Sequence, residues 1–412
     1  MYHWTVKLIS RTFRNIIPLV FAVNLNLQAQ APDSVVRHII NDVNLDTLVS
    51  YVRALSGEDS ASISGQRYLI TSRKYNAPTH TLAADYIKQK LESFGLATYD
   101  QYFASGTGRN VYAVQPGMVD ARIHYIVCAH YDAITNFCAD DNASGTAAVL
   151  EAARLLSKYP TDYTVVYALW DQEELGLIGS AFYASNAWSQ SKGILGVINL
   201  DMLGWDSNND SISDIHTKNI GLSVGLAYIL KNIDSVYNLG TNPIIYNPGI
   251  NASDHSSFWS YNYSAILLIE DYSAGDFNPY YHSTNDRIGI FNLNYFHSLS
   301  KLAVGGIAYL AHSYITGVKD RENINRVVSL KQNYPNPANP GTVIEFTLTQ
   351  KAFTTLKIYN ALGQEIATLL SGELEEGSRK IFWRADRFSS GIYFYRLQSG
   401  SFVETKKLTV LK

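Results

Sequence analysis

The chain has 412 residues, 46% hydrophobic, 12% aromatic and 17% charged; at roughly 100–200 residues per domain this gives room for two to four packed domains and excludes a lone small module or a mostly disordered chain. Lys and Arg number 33 against 36 Asp and Glu, a net charge of −3, so there is no basic excess for binding nucleic acid. Two cysteines allow at most one disulfide and rule out a four-cysteine zinc site, so a metal centre has to be built from His, Asp and Glu.

In chain order, Lys7, Arg11 and Arg14 precede the apolar run Ile16-Ile17-Pro18-Leu19-Val20-Phe21-Ala22-Val23, which gives way to Leu27-Gln28-Ala29-Gln30. This reads as a secretory signal peptide over residues 1–29. The run falls short of the ~20 apolar residues of a membrane span, and no later stretch reaches that length. The expected mature chain therefore works outside the cytoplasm with no transmembrane segment. Apolar residues Val35, Val36, Ile39, Ile40, Val43, Leu48, Val52 and Leu55 predict one or two amphipathic helices, and Leu82, Ala83, Tyr86, Ile87, Leu91 and Phe94 predict another that stops at Gly95. Strand-like runs at 111–114, 123–129, 163–170, 195–200 and 265–269 then alternate with helix-like runs at 143–157, 175–188, 220–233 and 293–315. The alternation predicts an α/β domain over 30–320, with a mixed, largely parallel central sheet and helices on both faces. Ligands of such sheets bind at the carboxyl ends of the strands.

After Gly317 the composition changes. Lys319-Asp320-Arg321-Glu322 and the turn-rich Tyr334-Pro335-Asn336-Pro337-Ala338-Asn339-Pro340-Gly341 mark a linker over 321–341. Short alternating runs at 343–348, 354–359, 365–369, 379–383, 391–397 and 402–411 follow, and they predict an all-β antiparallel sandwich within 326–412.

Five segments of the α/β domain carry ionisable residues, most of them at strand ends. They are Ala129-His130-Tyr131-Asp132, Asp140-Asp141-Asn142-Ala143-Ser144-Gly145, Asp171-Gln172-Glu173-Glu174, Asn199-Leu200-Asp201 and Tyr281-His282-Ser283-Thr284-Asn285-Asp286. One acid at a strand end is ordinarily a solvated loop residue or a helix cap. Several on one sheet edge crowd their charges, at a Coulomb cost that a bound cation removes. A His/Asp/Glu set without Cys suits Zn²⁺, with Mn²⁺ or Co²⁺ as substitutes. One bridging carboxylate among five ligands would hold two ions ~3.5–4 Å apart.

These five segments, in this order, resemble the secreted di-zinc aminopeptidases of metallopeptidase family 28, the bacterial leucyl aminopeptidase and aminopeptidase Y type, over residues 34–316. The resemblance implies a zinc-exopeptidase fold acting on a peptide substrate. It makes Asp141 the bridging ligand, puts His130 and Asp201 on one Zn²⁺ and Glu174 and His282 on the other, and makes Glu173 the general base. Asp132 matches the acid that orients the His130 ring, and Tyr281 is a candidate donor to the oxyanion. Asp254 and His255 match a segment near the substrate pocket. Carboxypeptidases and glutaminyl cyclases share the fold, and a carboxypeptidase needs a cation for the terminal carboxylate. No arginine stands between Arg154 and Arg287, which favours the aminopeptidase, with Arg287 keeping the carboxypeptidase open. A non-catalytic surface-binding module is the alternative outside enzymes.

Cys128 and Cys138 flank the His130 segment, either as a disulfide or as two separate thiols. Residues 326–412 resemble the C-terminal sorting domain of the type IX secretion system, through Tyr334-Pro335-Asn336-Pro337, Leu356-Lys357-Ile358-Tyr359-Asn360, Leu362-Gly363-Gln364-Glu365 and Ser390-Gly391-Ile392-Tyr393-Phe394. That resemblance implies outer-membrane secretion machinery as a partner and a secreted or cell-surface destination. A carbohydrate- or protein-binding sandwich with exposed aromatics such as Trp383 and Tyr395 is the competing expectation.

Overall fold

The computed structural model describes residues 33–273, 275–312, 329–333, 335–348, 351–361, 363–399 and 402–411. The expected signal peptide and most of the linker lie outside the described residues. The chain divides into two compact units, residues 1–314 and 315–412.

In the first unit, α1 (Ser34–Asn41) and α2 (Leu45–Leu55) begin at side-chain caps, Asp33 and Asn44, and satisfy the predicted helical periodicity. A hairpin of β1 (Ala61–Ile63) and β2 (Gln66–Tyr68) leads to α3 (His80–Ser93). Next come β3 (Ala97–Phe103), β4 (Gly108–Gln115), β5 (Asp120–His130), α4 (Gly145–Leu156), β6 (Tyr163–Trp170), α5 (Ile178–Ser189) and β7 (Gly193–Leu200). The unit ends with β8 (Ser213–His216), α6 (Ser223–Tyr237), β9 (Pro243–Tyr246), α7 (His255–Trp259), β10 (Ala265–Glu270) and α8 (Leu293–Ala311). Eight strands form one sheet in the order β3-β4-β6-β5-β7-β10-β8-β9. Its middle, β6-β5-β7-β10, is wholly parallel, while β3, β4 and β8 run antiparallel to a neighbour.

The parallel strands are mostly apolar and buried toward their carboxyl ends because both faces are covered there. The larger core packs α1–α4, α6 and α8 on one face, and a second packs Trp170, Tyr183, Phe258 and Trp259 on the other. The four parallel strands end together at His130, Trp170, Leu200 and Glu270. No helix among the described residues is long and apolar enough to cross a membrane.

The second unit has two antiparallel sheets. One joins β11 (Ser329–Leu330), β12 (Gly341–Leu348) and β15 (Gly377–Arg384); the other joins β14 (Glu365–Leu374), β13 (Ala352–Asn360), β16 (Gly391–Ser399) and β17 (Phe402–Val410). Trp383 and Tyr395, expected as exposed aromatics, are 3% and 0% exposed and belong to the core with Phe346, Leu356 and Leu397. A ligand-binding surface cannot use them.

Candidate metal centre

His130 ends β5, and the next residues turn so that Asp132 comes back under the imidazole, with Oδ1 3.4 Å from His130 Nδ1. The same Asp132 carboxylate accepts the main-chain N–H of Glu173 at 3.1 Å and of Glu174 at 3.3 Å. One acid thus ties the β5 end to the β6 end and fixes the ring and the Glu pair together.

Asp141 lies in the turn Ala139–Ser144 that opens α4. Main-chain N–H groups of Asp140 and Asp141 donate to the two oxygens of Asp286 at 2.9 and 3.0 Å. Asn142 Nδ2 donates to Leu200 O at 2.9 Å, and its Oδ1 accepts Gly145 N–H at 2.9 Å. A Cβ on Gly145 would stand 2.4 Å from Asn142 Oδ1 and 2.7 Å from Leu200 O, so only glycine allows the Asp141 turn to close on the end of β7.

Two groups of side chains result, each with ligand atoms close enough to hold one ion: His130, Asp141 and Asp201, all buried, and Asp141, Glu174 and His282, which rise toward the surface. His130 Nε2 is 3.3 Å from Asp141 Oδ1 and 3.4 Å from Asp201 Oδ1. His282 Nε2 is 3.3 Å from Asp141 Oδ2 and 3.0 Å from Glu174 Oε2. Around a tetrahedral zinc with bonds of ~2.0–2.1 Å, neighbouring ligand atoms stand about 3.3 Å apart, so both groups fit zinc. Buried Asp141 Oδ2 and Asp201 Oδ1 face imidazole nitrogens at 3.3 and 3.4 Å but have no well-aligned hydrogen-bond partner among the described residues, an arrangement that costs energy unless a cation binds there.

The electrostatics agree. Burial opposes a charge on His130, but Asp201, Glu173, Asp132 and Asp141 outweigh it and raise its pKa. Burial pushes the Asp141 carboxyl up, and the imidazoles of His130 and His282 beside it overcome this and hold it well below the usual range. Burial raises Glu173, with Asp254, Asp201 and Asp132 adding to the rise and His130 opposing it. Tyr281 stacks on His282 with centroids 3.7 Å apart, and burial together with Asp141, Asp201, Glu174 and Glu173 raises its hydroxyl pKa. Its O–H therefore remains a donor. Phe137, Cys138, Gln172, Met202 and His282 all have positive φ, at about 1–3 kcal/mol each, and all sit at or beside these loops.

Residues 110–305 match the description "Peptidase family M28", and residues 332–411 match "Secretion system C-terminal sorting domain". The first unit carries an M28 peptidase domain. Among curated proteins, this chain is similar to "Leupeptin-inactivating enzyme 1" of Streptomyces exfoliatus, 37% identical over 140 residues, 32% of each chain. "Leucine aminopeptidase 1" of Ajellomyces capsulatus is 26% identical over 224 residues, 49% of this chain and 56% of its own. This chain thus spans a third to a little over half of these relatives. The LapA aminopeptidase of Legionella pneumophila shares the fold, with a TM-score of 0.59 and 23% identity over 68% of this chain and 75% of its own.

Three features around this M28 site escape the sequence. Arg73, fully buried, donates from Nε to Tyr131 O at 2.7 Å and from Nη2 to Cys138 O at 2.7 Å; its Nη1 donates to Leu55 O at 2.7 Å and Phe137 O at 2.8 Å. It clamps the loops that lead to His130–Asp132 and Asp141. His80 pairs through Nε2 with Asp171 at 2.8 Å and stacks on Tyr131. Asp140, Glu270 and Asp286 form a buried set of acids behind Asp141, with Asp140 also accepting Gly204 N–H and Asn278 Nδ2. Asp140 and Asp286 stand in segments the sequence marks as ionisable; Glu270 does not.

Of the two readings of the cysteines, separate thiols hold: Cys128 Sγ on β5 faces Asn199 Oδ1 at 3.5 Å, while Cys138 Sγ faces Thr135 O at 3.7 Å. His255 points away from the metal groups, with Nε2 on Ile250 O at 3.0 Å and its ring edge-on to Trp259. Asp254 does lie within electrostatic reach of His130 and Glu173.

Proposed function

We propose that the chain is an exported aminopeptidase that removes N-terminal residues from peptides, using two zinc ions and a water. The observation that carries this reading is the sharing of Asp141: its Oδ1 faces His130 and its Oδ2 faces His282, each at 3.3 Å. A carboxylate with one oxygen toward each of two neighbouring groups suits a pair of ions ~3.5–4 Å apart. His130 and Asp201 would hold one ion and Glu174 and His282 the other, with Asp141 between them. Bound there, two zinc ions supply Lewis acidity to the scissile carbonyl and lower the pKa of the attacking water.

The remaining chemistry belongs to side chains. Glu173, raised by burial, takes a proton from the attacking water and passes it to the nitrogen of the leaving amine. Tyr281 donates its O–H to the carbonyl oxygen as charge develops on it. Asp132 keeps the His130 ring aimed. Arg287, the residue that would anchor a carboxypeptidase substrate, is held by Glu58 at 2.6 Å and covers the Phe137 ring at 3.6 Å, which supports the aminopeptidase over that rival. The sorting domain supports delivery through outer-membrane secretion machinery. The test is hydrolysis of Leu-Ala-Ala and its N-acetyl counterpart by the zinc-loaded chain. The free peptide should release leucine and the blocked one should stay intact; release of the C-terminal alanine from the blocked peptide would replace this reading with a carboxypeptidase.

A further inference from the structure

A cavity of about 200 Å³ opens beside the metal centre, and its lining includes Lys74, Tyr75, Asp132, Ile134, Glu174 and Leu175. Small-molecule pockets start near ~300 Å³, so this one fits a single amino-acid residue. Tyr75 and Leu175 are 46% and 44% exposed, which leaves apolar walls at the mouth. Of the three charged groups, two are engaged. Asp132 accepts from the Glu173 and Glu174 main chain, and Glu174 faces His282 and accepts Ile134 N–H at 3.1 Å. The Lys74 ammonium has no ion pair or hydrogen bond among the described residues. Its main chain is fixed, with Lys74 O accepting Ala77 N–H at 2.8 Å and the preceding Arg73 anchored through four hydrogen bonds.

The charges also run in one direction across the site. Around His130 and Asp201 stand two further acids, Glu173 and Asp254, whereas the Glu174 half borders the cavity with the unpaired cation. A peptide whose ammonium lies toward the acids and whose carbonyl lies between the two groups sends its second residue toward Lys74. We infer that Lys74 binds the free carboxylate of that second residue, so that dipeptides are the favoured substrates; this rests on the aminopeptidase reading.

The test uses the full-length, zinc-loaded chain carrying Glu173→Ala, so that the peptide is bound without turnover, and measures Leu-Ala and Leu-alaninamide by titration calorimetry. A partly exposed charge-assisted contact predicts that Leu-Ala binds roughly tenfold tighter than the amide. Lys74→Met should abolish the difference, and Lys74→Arg should keep most of it. Equal binding of the two ligands, or a difference that survives Lys74→Met, overturns the carboxylate site. Failure of the underlying reading has a separate signature: with Glu173 intact an aminopeptidase releases leucine from both ligands, whereas a carboxypeptidase cleaves Leu-Ala and leaves Leu-alaninamide intact, and a non-catalytic chain cleaves neither, whatever the calorimetry gives.

Discussion

Replacing Arg73 by Met removes the clamp between the two metal-bearing loops and leaves four main-chain carbonyls without their donor. The guanidinium makes four bonds of 2.7–2.8 Å; at about 1.5–3 kcal/mol for a hydrogen bond to a charged group, the gross loss is about 6–12 kcal/mol. Part of that is returned, because Arg73 is buried and its desolvation disappears with the charge. A net destabilisation of about 3–5 kcal/mol follows, at the upper end for single substitutions. At roughly 2–4 °C per kcal/mol the Tm of the catalytic unit should fall by roughly 6–20 °C. Thermal unfolding by circular dichroism should be done without metal, so that stabilisation by bound zinc does not mask the effect. Arg122→Met is the control, since Arg122 is 90% exposed and pairs only with Asp120. Arg73→Lys, with a charge but no planar fork, should fall between the two. If Arg73→Met unfolds within about 1 °C of the control, the clamp does not hold the loops.

Glu173→Ala should retain zinc, measured by mass spectrometry, while kcat falls by about 10²–10⁴, the range for a lost general base; loss of metal would reassign Glu173 as a ligand. Metal affinity should also depend on pH. In the metal-free protein burial lowers the His282 pKa, but Asp141 and Glu174 outweigh it and raise the value from 6.5 to about 10. Protonated His282 therefore stabilises the metal-free fold fully below pH 6.5, and that contribution is lost as pH rises through about 10. A cation has to displace this proton, so zinc titrations should tighten steadily across that interval; a flat profile would contradict the His282 assignment. Deleting residues 326–412 should leave an active enzyme inside the cell envelope, measured by fractionation, and unchanged export would remove the sorting role.

The sequence was most readable where burial is complete. β6 and β10 run as unbroken apolar segments because helices cover both sides of the sheet, and ionisable residues just beyond such runs mark a common edge. β8 was missed for the opposite reason: its four residues include buried Asp214 and His216, so neither alternation nor hydrophobicity marks it. α5 starts three residues later than its pattern suggests, since Leu177 has positive φ and the Gly176 and Leu177 N–H groups close a turn on Glu173 O. That turn keeps the Glu pair out of the helix. The carboxylates were found, but what holds them was not. Arg73 reaches partners 18 to 65 residues away, and Glu270 simply ends an apolar strand, with no second ionisable residue in that run to mark it.

The central claim is a two-ion centre bridged by Asp141, and native mass spectrometry of the zinc-loaded chain tests it most directly. The wild type should carry two zinc ions per chain and Asp141→Ala should carry none, with the fold intact by circular dichroism. A wild type with a single zinc, or an Asp141→Ala variant that keeps both, would contradict the account.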